Sequence, residues 1–261
     1  MDAFRKSRAH APPGFFATEA AGLRWLAVPG GPRVARVLDV GAGHLDLERI
    51  GNARPTPDAA HDLGRRLAVL HGAGADGFGV LPPGADRGWF GPLEDPLPLA
   101  AGRCGDWPAF YARARVMPVV AQGRERGVLT AQDAAAAERV CGRLGVLAGP
   151  AAREGPARVH GDLWSGNVLW APGPAGSAEA VLIDPAAHGG HRESDLAMLA
   201  LFGAPHLEEI VAGYDEASPL APGWRDRVRL HQLYPLAVHA VLFGGGYVTQ
   251  TRHLMARLGA A

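Results

Sequence analysis

The chain has 261 residues, 48% of them hydrophobic, enough to bury a full core as one domain or as two lobes. Its 26 basic and 26 acidic residues cancel, so no long-range field recruits nucleic acid or a membrane surface, and small neutral or mixed-charge partners are expected. Two cysteines, Cys104 and Cys141, are too few for a disulfide framework or a zinc site and suit a reducing cytosol as buried thiols.

In chain order, the charged start Met1-Asp2-Ala3-Phe4-Arg5-Lys6 has no apolar stretch behind it, and nowhere do about 18 apolar residues run together, so neither export nor membrane insertion is expected and a cytoplasmic location is. Residues 15–28 carry helical spacing at Phe16, Ala20, Leu23 and Leu26, with Glu19 on the same helix. Residues 32–50 read as two strands around the turn Gly41-Ala42-Gly43. After the linker 51–55, Thr56 and Pro57 give a cap and first turn for a helix carrying Leu63, Leu67 and Leu70. Residues 72–108 are rich in Gly and Pro around Trp89 and Phe90; such a long irregular stretch suits substrate contacts. Helices are predicted over 107–120 and 130–147, the second capped by Thr130 with Asp133 in its first turn.

Two rare residues stand out against this Ala-, Gly-, Pro- and Arg-rich background. Lys6 is the single lysine among 26 basic residues, and Asn167 is one of two asparagines, with Asn52. Asn167 falls in Val159-His160-Gly161-Asp162-Leu163-Trp164-Ser165-Gly166-Asn167-Val168, a strand and loop followed by a hairpin that ends on Ile183-Asp184-Pro185. Phosphoryl transfer needs a carboxylate to orient the attacking hydroxyl and take its proton, plus oxygen ligands that hold magnesium on the phosphates. Asp162 fits the first role. Asn167, returned beside it by a tight loop, and Asp184, arriving from the hairpin, fit the second. His160 is read as a loop hydrogen-bonding partner and Asp195 as a brace for the loop from a helix start. Ser165 is not a hydrolase nucleophile, because Leu163 stands where the elbow needs its first glycine. Gly41-Ala42-Gly43 and Gly244-Gly245-Gly246 lack the trailing residues of phosphate-binding loops.

The segment 160–167, with Trp164 inside it, resembles the catalytic loop of the fructosamine kinase family, relatives of aminoglycoside and choline kinases. Ile183-Asp184-Pro185-Ala186, Gly190-His191-Arg192-Glu193-Ser194-Asp195-Leu196-Ala197-Met198, Tyr214-Asp215 and Leu242-Phe243-Gly244-Gly245-Gly246-Tyr247 continue the resemblance over nearly the whole chain. It implies an α+β, bilobal, protein-kinase-like fold, with a partial nucleotide-binding lobe over 1–51 and a catalytic and substrate lobe over 52–261. It further implies ATP and Mg2+ as cofactors and transfer to the 3-hydroxyl of a fructosamine or ribulosamine, carried by a glycated small molecule or protein. By the same resemblance Lys6 pairs with Glu19 at the phosphates, the backbone of Leu47, Glu48, Arg49 and Ile50 forms the adenine hinge, and Trp164, His191 and Glu193 lie on the substrate side. His188-x-x-His191 is then substrate-loop structure and not a metal site. A monomer is expected. The family's Gly-rich hairpin before the lysine strand has no counterpart here, which suggests a true start upstream of Met1; a trimmed relative with weakened nucleotide binding is the alternative. Two rival functions remain: a kinase for aminoglycosides or another small amine, and a weakly catalytic or non-catalytic binding protein.

Overall fold

A computed structural model describes residues 2–260. The small lobe comprises β1 (Ala3–Ser7), α1 (Phe15–Leu26), β2 (Arg33–Val34), β3 (Val37–Gly41) and β4 (His44–Glu48). Strands β1 and β3 flank β4 in an antiparallel sheet, with Lys6 opposite Leu45 and Gly41 opposite His44. The β3–β4 turn is the one its glycines predict. Leu45 and Leu47, two apart on β4, share a face of the sheet, and they pack on Phe16, Ala20 and Leu23, which recur at helical spacing on α1. That packing fixes the helix across the sheet and turns Glu19 toward Lys6.

The rest of the chain is mainly helical: α2 (Pro57–Gly72), the hairpin β5 (Gly88–Phe90) and β6 (Leu97–Leu99), α3 (Trp107–Phe110), a π-helical stretch over Tyr111–Val116, α4 (Met117–Glu125), α5 (Ala131–Cys141), α6 (Leu144–Ala148), β7 (Ala157–Val159), β8 (Val168–Pro172), β9 (Ala178–Leu182), β10 (His188–Gly190), α7 (Arg192–Phe202), α8 (Leu207–Ala217), α9 (Trp224–Phe243) and α10 (Gly246–Ala260). The expected caps are present. Thr56 Oγ1 accepts the Ala59 amide at 3.3 Å, and Thr130 with Asp133 forms a reciprocal capping box. The helix predicted over 130–147 breaks after Cys141, and the irregular 72–108 stretch contains the short β5–β6 hairpin. Among the described residues no helix is long and apolar enough to cross a membrane.

The large lobe is built on α2, which crosses α8 so closely that a Cβ on Gly64 would lie 1.9 Å from the Ile210 carbonyl oxygen. Leu63, Leu67 and Leu70 of α2 share a core with Leu163, Leu182, Leu196, Leu199 and Tyr214, so this helix backs the loop between β7 and β8. The boundary expected at 51/52 is crossed by strand pairing and by core packing as well as by side-chain contacts: β2 pairs in parallel with β9, Arg33 opposite Val181, Leu26 enters the α2 core, and Arg158 Nη1 donates to Trp25 O at 2.9 Å. A second core surrounds Trp107 and Tyr111, under α9. Pro235 interrupts the α9 hydrogen-bond ladder because it has no amide hydrogen. The Tyr111 hydroxyl enters that gap, donating toward Leu230 O at 2.8 Å and accepting the Tyr234 amide at 3.0 Å.

Candidate active site

The loop between β7 and β8 is held from behind by one buried carboxylate. Asp195, in the first turn of α7 and 1% exposed, accepts the amides of His160 at 2.7 Å and Gly161 at 2.9 Å and the Nε2 of His71 at 3.1 Å. His71 in turn contacts the Tyr214 hydroxyl through Nδ1 at 2.9 Å. Burial alone would raise the Asp195 carboxyl, but the His71 bond and the loop amides outweigh it and hold it below the ordinary range. His160 accepts the Asp162 amide on Nδ1 at 3.2 Å and so donates from Nε2 to Ile183 O at 2.8 Å, a neutral tautomer that burial favours. The sequence reading of Asp195 as a brace and of His160 as a structural partner describes these contacts. Gly161 turns at φ +82°, and a Cβ there would come within 2.2 Å of Ala186 O.

Asp162, Asn167 and Asp184 converge at the end of this loop. Asn167 Nδ2 donates to Asp162 O at 2.8 Å and to its Oδ2 at 3.2 Å, and lies 3.5 Å from Asp184 O. With its nitrogen engaged inward, the amide oxygen is the atom left to bind a ligand. Asp184 follows β9 in the left-handed region at φ +54°, a conformation unusual outside glycine that turns its carboxylate out of the hairpin. Across the cleft, Lys6 Nζ bridges Glu19 at 2.8 and 2.9 Å and Asp184 Oδ1 at 3.0 Å.

The electrostatics follow from two carboxylates sharing one ammonium in a half-dry place. Burial pulls Lys6 down, but Glu19 and Asp184 outweigh it, so its ammonium is held above its usual value. Burial pushes Glu19 up to about 7 against the pull of Lys6, and the nearby Asp184 charge adds to the rise. Asp162 is pushed up to about 7 by burial, only partly opposed by the Asn167 bond. A carboxyl that titrates near neutrality is suited to proton transfer at neutral pH.

These five residues line one cleft of about 310 Å³. Much of the remaining lining is aromatic or apolar: Phe15, Trp89, Phe90, Trp164, Leu242 and Phe243, with His239. Trp164 stays 40% exposed, its ring lying over Gly166 and edge-on to Phe202 at 6.2 Å. Phe243, 57% exposed, belongs to the same lining.

The structure does not bring every expected residue to the cleft. His191 and Glu193 are corrected: both turn into the protein at the start of α7. His191 accepts the Glu193 amide on Nδ1 and donates from Nε2 to Ala151 O at 3.1 Å, while Glu193 is bound by Arg227 at 2.6 and 2.9 Å. Burial opposes ionisation of Glu193, yet the His231 and Arg227 contacts bring it down to about 2. The hinge segment also lies outside the cleft lining. Leu47 is in the small-lobe core, and the amides of Glu48 and Arg49 donate to Arg36 O and Asp2 O. His71 escaped the sequence reading, although it continues the buried stripe of Leu63 and Leu67 at a spacing of four, where a polar side chain needs an internal partner.

A profile of the fructosamine kinase family matches residues 1–260. A protein named probable ketoamine kinase from Synechocystis sp. is 34% identical over 249 residues, covering 92% of this chain and 77% of that protein. A crystal structure of a candidate fructosamine-3-kinase from Thermobifida fusca superposes with a TM-score of 0.88 at 44% identity, covering 99% of this chain and 86% of that one. A choline kinase from Streptococcus pneumoniae shares the fold at 15% identity, with a TM-score of 0.60, over 99% of this chain and 86% of that one.

Proposed function

Because the chain belongs to the fructosamine kinase family and is an ATP-dependent phosphotransferase, we propose that its cleft moves the γ-phosphoryl group of ATP to the 3-hydroxyl of a ketoamine sugar, a fructosamine or ribulosamine. The observation that carries this reading is the convergence of Asp162, Asn167, Asp184, Lys6 and Glu19 in one cleft whose remaining lining is largely aromatic and apolar. Asp162 accepts the hydroxyl proton as the sugar oxygen bonds to the γ-phosphorus and the bond from phosphorus to the ADP oxygen breaks. Lys6, oriented by Glu19, receives the α- and β-phosphates as a compact charge. Asn167 Oδ1 and the Asp184 carboxylate form a hard-oxygen donor set that fits magnesium, with Asp184 releasing Lys6 to the phosphates. Bound there, the cation would neutralise charge on the transferring phosphate. The aromatic lining, Trp164 above all, presents flat apolar surface to the sugar and the carbon chain of its amine.

A kinase for polycationic aminoglycosides is disfavoured by the same lining. The cleft's carboxylates are Glu19, Asp162 and Asp184, and all three have phosphate, metal or proton duties, which leaves none for several ammonium groups. A purely binding role is disfavoured because Lys6, Glu19, Asp162, Asn167 and Asp184 are retained together in the cleft. Steady-state ATP consumption with fructosyl-lysine, ribulosyl-lysine and an aminoglycoside panel tests this. Turnover with a ketoamine and none with aminoglycosides is expected; preferential turnover of an aminoglycoside, or of neither class, overturns the reading.

A further inference from the structure

Behind the catalytic loop lies a second, small cavity of about 30 Å³ that shares no lining residue with the active-site cleft. Its wall includes Arg115, Gly161, Ser194, Asp195, His231 and Tyr234. Arg115 is 2% exposed and stays cationic at neutral pH, since burial lowers it only to about 10. One of its nitrogens, Nη1, donates to Ala100 O at 2.9 Å and Ala114 O at 2.8 Å. Nε and Nη2 are buried and have no acceptor among the described residues. The guanidinium sits over the Phe110 ring at 4.5 Å and within 5.8 Å of the Tyr234 ring, which softens the charge but supplies no hydrogen-bond acceptor.

Among the described residues no carboxylate hydrogen-bonds this guanidinium. Asp195, on the same wall, has both oxygens committed to the loop amides and His71, and Glu193 is held by Arg227. A buried arginine with two unmet donors and no hydrogen-bonded carboxylate is a costly arrangement, and the cost falls most when one ligand supplies both acceptor and negative charge. The space admits one or two water-sized particles, about the size of a halide ion.

We propose that Arg115 binds a small monovalent anion, a halide, in this cavity, so that an internal ion pair stands directly behind Gly161 and Asp195. Chloride is the natural occupant on grounds of size and charge. Two measurements on the full chain test the proposal. In crystals grown in sodium bromide, an anomalous peak at the bromine edge is expected within hydrogen-bond distance of Arg115 Nε or Nη2; a water there without bromine signal overturns the proposal. In solution, the thermal midpoint at fixed ionic strength is expected to rise by a few degrees when sodium gluconate is replaced by sodium chloride or bromide, and Arg115→Met is expected to remove that dependence. A wild-type midpoint indifferent to halide, or an equal halide effect in Arg115→Met, overturns it. Should Arg115→Met not fold, the bromide crystals and the wild-type titration still decide.

Discussion

Replacing Asp195 by asparagine preserves the shape of the side chain while removing its charge and one acceptor oxygen. In the native arrangement Oδ1 receives the Gly161 amide and Oδ2 receives the His160 amide and His71. Whichever way the new amide turns, its NH2 group faces at least one backbone N–H, donor against donor, in a site 1% exposed. One stranded buried donor costs about 1–3 kcal/mol, and loss of charge from the surviving bonds roughly another 1 kcal/mol. The expected loss of stability is therefore about 2–4 kcal/mol, a fall in Tm of roughly 5–15 °C for a chain of this size. Because Asp162 follows the two anchored amides, kcat should fall as well, with KM for ATP changing less. Urea and thermal unfolding give the first quantity and steady-state kinetics at low temperature the second. A variant that unfolds within about 0.5 kcal/mol of wild type would refute the account of the brace, and a destabilised variant with unchanged kcat would confine Asp195 to the core.

Asp162→Asn should leave folding intact and cut turnover about 10²- to 10⁴-fold or more; near-full turnover would remove Asp162 from the mechanism. Asp184→Ala should abolish magnesium-dependent ATP binding, and calorimetry showing unchanged affinity would contradict its assignment as a ligand. Lys6→Arg should lower activity, since a planar fork replaces a point charge held at 2.8 Å from Glu19; unchanged kinetics would make the lone lysine incidental. Asp162 and Glu19, both pushed up to about 7, hold protons in the folded chain that the unfolded chain has released above the ordinary carboxylate range of about 4–4.5. Their contribution to stability is thus complete below that range and is lost as pH rises through 7, so the ligand-free protein should resist urea better at pH 5.5 than at pH 8 as far as these groups decide. Magnesium–ATP should expel protons on binding near pH 6.5, read by calorimetry in buffers of different ionisation enthalpy; no proton release would show both groups to be already ionised.

The loop and its hairpin were legible because Asp162, Asn167 and Asp184 lie within 23 residues, inside local elements whose turns and strands the sequence signals directly. The lone lysine drew notice by its rarity, and its pairing with Glu19 came from the resemblance, which sets a strand lysine before a helix glutamate. His71 and Tyr214 were not, since their joining to Asp195 depends on the α2–α8 crossing, a contact between segments far apart in sequence. His191 and Glu193 sit beside readable residues, but the first turn of α7 points them inward, and the direction of a helix's first turn is set by what it packs on. The π-helical stretch at Tyr111 was hidden for a similar reason. Its apolar spacing continues that of α3, while the bond between the hydroxyl of its first residue, Tyr111, and α9 joins segments far apart in sequence.

That hydroxyl has an evolutionary consequence. With Pro235 in place, Tyr111→Phe takes from the His231 carbonyl, which has no amide donor at 235, the hydroxyl that reaches it at 3.3 Å, whereas alanine at 235 would restore the helix's own bond to His231 O. The order in which the two positions change therefore matters. A lineage that lost the proline first could afterwards exchange the tyrosine at little cost, while one that lost the tyrosine first would cross a less stable intermediate. Pro235 thus entrenches Tyr111, and relatives should keep the pair or lose the proline first.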